Sequence, residues 1–279
     1  MNILLYPNRD KDSGLLFTQR LYEILEGYGA NVFGHISAKE LTNVQLISDD
    51  EISNNIDLIV TIGGDGTFLQ GAHYAFSNDI PIIGFNMGHV GFLAELEVTE
   101  IELLKRVLSG DFEIDERMLI NVKLLRGNEK IFDEECVNEV VIHQGNIPRI
   151  LDIDLSRNGK MISHYRADGM LVCTSTGSTA YSLSAGGPII DPSLKCLSMV
   201  PICAHSIASR PVIFAGSSKL TVTLSDMHGK DAFVAADGHS AAEVKDGDVV
   251  IITESKKRLK VVKLKDLNFY EVLRIKMYR

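Results

Sequence analysis

Asp57-Leu-Ile-Val-Thr-Ile62-Gly63-Gly64-Asp65-Gly66-Thr67-Phe68 is the stretch on which the fold turns. Its first half is a continuous apolar run of strand length, the pattern of a parallel strand buried on both faces. Its second half sets three glycines around one acid and then enters Phe68–Phe76, which has helical spacing. A strand ending in such a turn and opening a helix belongs to a βαβ unit. The glycines permit positive φ and a close approach of backbone to a ligand. Successive N–H groups there, with a helix N-terminus behind them, form an anion-binding nest. A carboxylate inside a phosphate cradle repels its own ligand. It makes chemical sense if Asp65 takes a proton from a hydroxyl or helps to hold Mg²⁺. The plainer alternative is a strand-to-helix turn whose Asp65 caps the helix.

Outward from that stretch the βαβ rhythm continues. Asn2–Tyr6 and Ile80–Phe85 read as strands, and Gly14–Gly27 and Glu100–Leu108 as helices, with Leu15, Leu16, Leu21, Ile24 and Leu25 near helical spacing. Gly27 and Gly29 suit the first helix's exit. Beyond about residue 100 the pattern changes: Met118–Leu125, Val137–His143, Ile150–Leu155, Leu220–Leu224, Val249–Thr253 and Leu259–Leu264 all have strand character. Asn158-Gly159 between two such runs predicts a type I′ hairpin. The expected fold is an α/β N-terminal domain, a parallel sheet with flanking helices, over 1–99, plus a C-terminal β-rich, sandwich-like domain over 100–255. The tail, 256–279, completes the first domain, with Phe269, Val272, Leu273 and Met277 as its docking stripe.

The 279 residues, 45% hydrophobic and 23% charged, are ordinary for globular protein and exclude wholesale disorder, a collagen-like repeat and a small disulfide scaffold. No window approaches a transmembrane span, and the N-terminus lacks the basic and apolar regions of a leader. Cys136, Cys173, Cys196 and Cys203 have neither C-x-x-C nor zinc-like spacing, so four reduced thiols in a cytoplasmic protein are expected, with no metal held by them. The net charge of −9 is uneven: residues 255–279 carry +7, and residues 1–254 carry −16. So acidic a body argues against nucleic acid and anionic membrane as partners.

A second dense patch is Arg166-Ala-Asp168-Gly169, followed by Thr174-Ser-Thr-Gly177-Ser-Thr179-Ala180-Tyr181-Ser182-Leu183-Ser184-Ala-Gly-Gly187-Pro188. Its hydroxyls and N–H groups suit ribose and phosphate, and Tyr181 offers a face for a base. A Ser/Thr-rich turn with an N-cap is the bland alternative. Asn138-Glu139 sits inside an apolar run, where polarity is costly unless paired or functional. Gly88-His89-Val-Gly91-Phe92 follows a strand, at the end where α/β sheets gather ligands, with His89 as a pocket wall. No P-loop, G-x-S-x-G or H-E-x-x-H occurs, and Gly27-Tyr-Gly29 fails as a dinucleotide fingerprint because it follows a helix.

Taken together, Gly63-Gly-Asp-Gly-Thr67, Gly88-His-x-Gly-Phe92, Asn138-Glu139, Arg166-Ala-Asp-Gly169, Thr176–Pro188 and Ser209-Arg-Pro211 closely resemble the NAD kinase family. The first motif is shared with diacylglycerol, sphingosine and phosphofructokinase-type kinases; the long one is much more specific. The resemblance implies transfer of the γ-phosphoryl of ATP, or of polyphosphate, to the 2′-hydroxyl of the adenosine ribose of NAD⁺. Asp65 is then the general base, and Gly63, Gly64, Gly66 and Thr67 hold the donor phosphates with Mg²⁺. Asn138 and Glu139 bind the dinucleotide near the reacting ribose, Asp168 and Arg166 lie at the nicotinamide side with Arg149, and Thr179, Ala180, Tyr181, Ser182, Leu183 and Ser184 bracket the adenosine. His205 and His239 are outer candidates. The resemblance also implies a homodimer or homotetramer, with the dinucleotide between domains. Two departures stand out: Ser175 where the family usually has proline, and Asp237-Gly238-His239 where Asp-Gly-Gln is frequent. A lipid kinase sharing only the first motif, and a non-catalytic dinucleotide sensor, are the competing readings.

Overall fold

The computed structural model describes all residues except Asn54, His89, Val90, Leu267, Tyr278 and Arg279. The chain forms two compact units, Met1–Glu116 with Lys257–Arg279, and Arg117–Lys256.

The first unit holds β1 (Asn2–Pro7), α1 (Leu16–Gly27), β2 (Asn31–His35), β3 (Gln45–Ile47), β4 (Leu58–Gly63), α2 (Asp65–Ser77), β5 (Ile82–Asn86), β6 (Leu96–Glu97) and α3 (Leu104–Leu108). All its strand pairs are parallel, in the order β3-β2-β1-β4-β5, with β6 on the far side of β5. The chain winds outward from β1 to β3 and then returns to the other side of β1 as β4. The carboxyl ends of β1 and β4 therefore flank a topological switch point, where open α/β sheets bind ligands. Every residue of β4 is buried, which explains its unbroken apolar sequence.

Helix α1 begins only after a 3₁₀ turn at Ser13–Leu15. Leu21 and Leu25 face the core, whereas Leu16, at 76% exposure, does not. Asp12, itself buried, accepts from the N–H groups of Phe17 and Thr18 and from the Thr18 hydroxyl. The helix expected over Glu100–Leu108 is a 3₁₀ segment, Val98–Leu103, followed by the short α3. Ile101, Leu104 and Val107 join the first unit's core, which carries that unit past position 99 to Glu116.

The second unit, with the strand that enters it and the helix that follows it, comprises β7 (Glu113–Arg126), β8 (Glu129–Cys136), β9 (Glu139–Gln144), β10 (Leu151–Arg157), β11 (Lys160–Ala167), β12 (Gly169–Thr174), α4 (Tyr181–Ser184), β13 (Cys196–Ile202), β14 (Val212–Ala215), β15 (Leu220–Ser225), β16 (Ala232–Ala236), β17 (Ser240–Val244), β18 (Val249–Lys263) and α5 (Phe269–Met277). One antiparallel layer runs β14-β13-β12-β9-β16-β17, and another runs β11-β10-β15-β18. Alternate residues of both layers, Val140, Ile142 and Val172 against Ile153, Val222 and Ile252, share one core, as in a sandwich. Asn158 and Gly159 both have positive φ, 50° and 77°, as a type I′ turn between β10 and β11 requires. The two strands expected at 249–253 and 259–264 are one strand of 15 residues.

Strand β18 leads the chain back to the first unit, where Val261 pairs in parallel with Ile82. There the Glu95 carboxylate, its side chain only 8% exposed, binds Lys263 at 2.7 Å and accepts from the N–H groups of Leu264 and Lys265. Lys260–Asp79 and Lys265–Glu100 pairs, at 2.7 and 2.5 Å, add tail cations to body acids. Helix α5 has no fully buried residue; Phe269, Val272 and Leu273 are half-buried as expected, but Met277 is exposed and Lys276 is the half-buried residue of the last turn. Substituting Glu95→Ala strands two backbone donors and one ammonium near the core. The expected cost is about 2–4 kcal/mol, read as a lower urea midpoint at unchanged m value. A wild-type midpoint would show that the tail is held elsewhere.

Candidate active site

The Gly63–Thr67 turn lies at the switch point of the first unit. Gly64 is the N-cap residue of α2 with extended backbone, and it makes no side-chain cap. Asp65 does not cap its own helix either. Its Oδ2 accepts from Phe92 N–H at 2.7 Å and its Oδ1 from Leu93 N–H at 3.1 Å, which settles the capping alternative. None of the turn's three glycines has positive φ, and Gly63 serves close packing. A Cβ on Gly63 would overlap the Thr67 hydroxyl, and a Cβ on Gly91 would overlap the Asp65 carboxylate. A Cβ on Gly66 would meet nothing within 4 Å, so the turn is open at that point. The first-turn N–H groups of α2 lack intrahelical acceptors and carry the positive end of the helix dipole, which suits an anion.

The loop after β1 completes this cradle. Asn8 donates its N–H to Ile62 O at 2.8 Å and its side-chain amide to Thr67 Oγ1 at 3.1 Å, while its own Oδ1 accepts from Asp10 and Lys11 N–H. The Lys11 ammonium is 2.5 Å from where a Gly64 Cβ would stand. Asn8 and Lys11 went unread in the sequence, although their place just past an apolar strand marks the ligand-binding end of a parallel sheet. At the end of β5, Asn86 pairs in register with Gly63, and its buried Oδ1 has no partner. The Asn86 amide reaches Glu97 Oε1 at 3.5 Å. Unpartnered and carboxylate oxygens are the donors a hard cation such as Mg²⁺ takes, so these residues fit one. Lys276 of α5 also arrives here, its Nζ 4.6 Å from the centroid of the Phe92 ring. Burial, partly offset by Asp65 and Glu97, brings its pKa down to about 8. His89 lies outside the described residues.

In the second unit the expected residues form two groups at opposite ends of β12. At one end, Asp237 accepts three consecutive backbone N–H groups, from Val137, Asn138 and Glu139, at 2.7, 2.9 and 3.0 Å. Asn138 is buried, and a Cβ on Gly177 would overlap its carbonyl, so the hydroxyl-rich turn closes directly on the Asn138-Glu139 pair. The Thr174 hydroxyl donates to Val137 O, and the Ser178 hydroxyl donates to Ser175 O and accepts from Ile190 N–H. Ser182 is fully buried against Gly187 and supports the turn, whereas Tyr181, 45% exposed, and Ser184 face outward, with Thr179, Ala180 and Leu183 half-buried. His239 bonds Ala236 O at 3.0 Å, and its side chain lies on the exposed side of the Asp237 turn.

At the other end, Asp168 opens β12, with its N–H on Ile202 O and its carbonyl receiving Gln144 N–H. Arg166 pairs with Asp152 at 3.2 Å, Lys230 shares that carboxylate at 2.9 Å, and Arg149 bonds the carbonyl of neighbouring Gly229. His205 donates its N–H to Arg166 O. The register sets Gly169 against His143 and Cys173 against Glu139, so the two groups are about 13 Å apart at strand rise.

Asp237, absent from the candidates although its Asp-Gly-His motif was conspicuous, shapes the charge at the first end. Burial pushes both Glu139 and Asp237 up, and three N–H donors oppose this only at Asp237. Glu139 Oε2 is buried without a partner. Burial first, and Asp237 after it, raise the Glu139 pKa to about 8, so Glu139 is the group that holds a proton near neutral pH.

Comparison with known proteins gives consistent results. The model of the ATP-NAD kinase N-terminal domain matches residues 18–112, and that of the ATP-NAD kinase C-terminal domain matches 137–264. An NAD kinase of Geotalea daltonii is 39% identical over 241 residues, 86% of this chain and 84% of that one. An NAD kinase of Acetivibrio thermocellus is 37% identical across 100% of this chain and 97% of that one. Yeast NADH kinase complexed with NADH superposes with a TM-score of 0.89 at 24% identity, covering 98% of this chain and 86% of that one, a likeness of fold. An NAD kinase from Archaeoglobus fulgidus in complex with ATP gives 0.77 at 25% identity, covering 99% and 97%.

The Glu139 proton predicts a pH effect on stability. Its folded value of about 8 exceeds the ordinary 4.5, so between these pH values the folded chain holds a proton that the unfolded chain has released. Stability then falls as pH rises through that window, by at most about 1.4 kcal/mol per pH unit from this group. Glu139→Gln is expected to flatten the slope and to be more stable than wild type at pH 8 in urea titrations at pH 5, 6, 7 and 8. Parallel slopes for the two proteins would remove the proton from Glu139.

Proposed function

The chain belongs to the ATP-NAD kinase family, and on that premise we propose that it phosphorylates the 2′-hydroxyl of the adenosine ribose of NAD⁺ to give NADP⁺. The donor is the γ-phosphoryl of ATP; polyphosphate offers the same terminal group. A single arrangement carries the reading: an acid fixed by two backbone donors at an open, glycine-lined helix N-terminus on the sheet's switch point. The match of both halves of the chain leaves no place for a lipid kinase related through the first motif alone, and Asp65 is a group that a dinucleotide sensor does not need.

In this mechanism the oxygen of the 2′-hydroxyl forms a bond to the γ-phosphorus, the bond from that phosphorus to the β–γ bridging oxygen breaks, and the hydroxyl proton passes to Asp65. Phosphoryl transfer asks mainly for positioning and neutralised charge. The Phe92 and Leu93 N–H groups aim the Asp65 carboxylate, and the first turn of α2 with Asn8 and Lys11 receives the donor phosphates. Asn86 and Glu97 would hold Mg²⁺, which supplies neutralisation of phosphate charge when bound. Asn138 and Glu139 bind the ribose end of the dinucleotide, Tyr181 and its neighbours the adenosine, and Asp168 and Arg166, with Arg149 and His205, the nicotinamide end. The separation along β12 suits the two halves of an extended dinucleotide.

Self-association as a homodimer or homotetramer is part of the proposal. It is supported by exposed apolar residues Ile207, at 91%, and Ile213, at 53%, the latter on edge strand β14. A cytoplasmic location accords with four free thiols and with the absence, among the described residues, of a helix long and apolar enough to cross a membrane. ATP, Mg²⁺ and NAD⁺ coupled to an NADP⁺-specific dehydrogenase test the activity. Asp65→Asn is expected to fold and bind NAD⁺ while kcat falls about 10²-fold or more. Near-normal turnover in that variant would remove Asp65 as the base.

A further inference from the structure

Asp65 poses an electrostatic difficulty that its two neutral N–H donors do not remove. The carboxylate stands at the place where a polyphosphate must enter, and the rest of the body is acidic. A compensating cation has to come from outside the turn. The tail brings one.

Helix α5 is set in place at its start by a reciprocal cap, with Asn268 N–H on Glu271 Oε2 and Glu271 N–H on Asn268 Oδ1, both at 3.0 Å. Just before it, Glu95 clamps Leu264 and Lys265, and Arg106 donates to Leu264 O at 2.5 Å. Val272 and Leu273, half-buried, lie four and three residues before Lys276, which places Lys276 on the same docked face. Its ammonium sits over the ring of Phe92, the residue whose N–H holds Asp65 Oδ2. The charges that face it are Asp65 of α2, Glu97 of β6, Glu95 of the loop before β6, and Lys263 of β18. Glu95 is already matched by Lys263 and two backbone donors, so Asp65 and Glu97 are the acids that Lys276 serves.

We propose that Lys276 neutralises the Asp65 carboxylate so that an anionic phosphoryl donor can occupy the Gly63–Thr67 turn, acting as a positioning residue through Asp65. The inference rests on the reading of that turn as the donor cradle. It accounts for a chain that is acidic overall yet binds a polyphosphate: the cationic tail delivers one half-buried ammonium to the carboxylate inside the cradle.

The test is a double-mutant cycle on the whole protein, read by calorimetric titration of ATP with Mg²⁺ and, separately, of NAD⁺. Lys276→Met is expected to weaken ATP binding about tenfold when Asp65 is present but less than about twofold in the Asp65→Asn background, the non-additivity of two coupled charges. NAD⁺ binding is unchanged, and Lys276→Arg, which keeps the charge, stays within about threefold of wild type for ATP. In steady state the Met variant raises the KM for ATP with little loss of kcat. Equal losses in both backgrounds would mean that Lys276 acts independently of Asp65 and overturn the proposal, as would full affinity in Lys276→Met or failure of Lys276→Arg to restore it. Failure of the wild type itself to bind ATP would instead overturn the donor cradle, and this proposal with it.

Discussion

Two hydrogen bonds from backbone N–H groups to one carboxylate, Phe92 and Leu93 onto Asp65, are the constraint around which the first unit's site is arranged. They require the chain after β5 to pass within contact distance of the first turn of α2, and only a residue without a Cβ allows that approach at Gly91. They also require α2 to start immediately after β4, which needs Gly63 against the Thr67 hydroxyl. The direction of the carboxylate is thus set by main chain, the least adjustable part of the molecule. A carboxylate whose position depends on main chain loses little freedom when a ligand binds, which suits the role of base proposed for Asp65.

Charge is distributed in keeping with that constraint. The N–H groups and helix end that favour phosphate are neutral or fractional, so the cradle can be built within an acidic body. Full positive charges are few and specifically placed: Lys11 beside Gly64 from the β1 loop, and Lys276 from the tail. Three of the tail's other cations, Lys260, Lys263 and Lys265, are matched by Asp79, Glu95 and Glu100. The uneven charge along the chain thus sets cations of the last strand and its sequel beside acids of the first unit.

The second unit uses backbone restraint again with the roles of main and side chain exchanged. There a carboxylate, Asp237, organises three N–H groups of the Asn138-Glu139 turn, and burial, with Asp237 adding to it, raises the pKa of the neighbouring Glu139. Strand β12 then acts as a ruler, with this group at one end and Asp168, Arg166 and His205 at the other.

What the sequence determined alone is what depends on local pattern. The buried β4, the Gly63–Thr67 turn opening α2, the Asn158-Gly159 hairpin and the β-rich second half are all legible, because strand period, apolar runs and turn residues act over a few positions. The family, too, was legible, through a motif as long as Thr176–Pro188. Only the tertiary structure decided the rest. It showed that Gly63 and Gly91 serve close packing, since an overlap with Thr67 or Asp65 involves atoms several or many residues away. It joined two expected strands into β18, carried the first unit to Glu116, and turned Lys276 rather than Met277 toward the body. It also disclosed Asn8, Lys11, Asn86 and Asp237, polar residues with no period to betray them. Their significance lies in which backbone and carboxylate groups the fold brings beside them, and a linear pattern carries no record of neighbours 50 or 100 positions away.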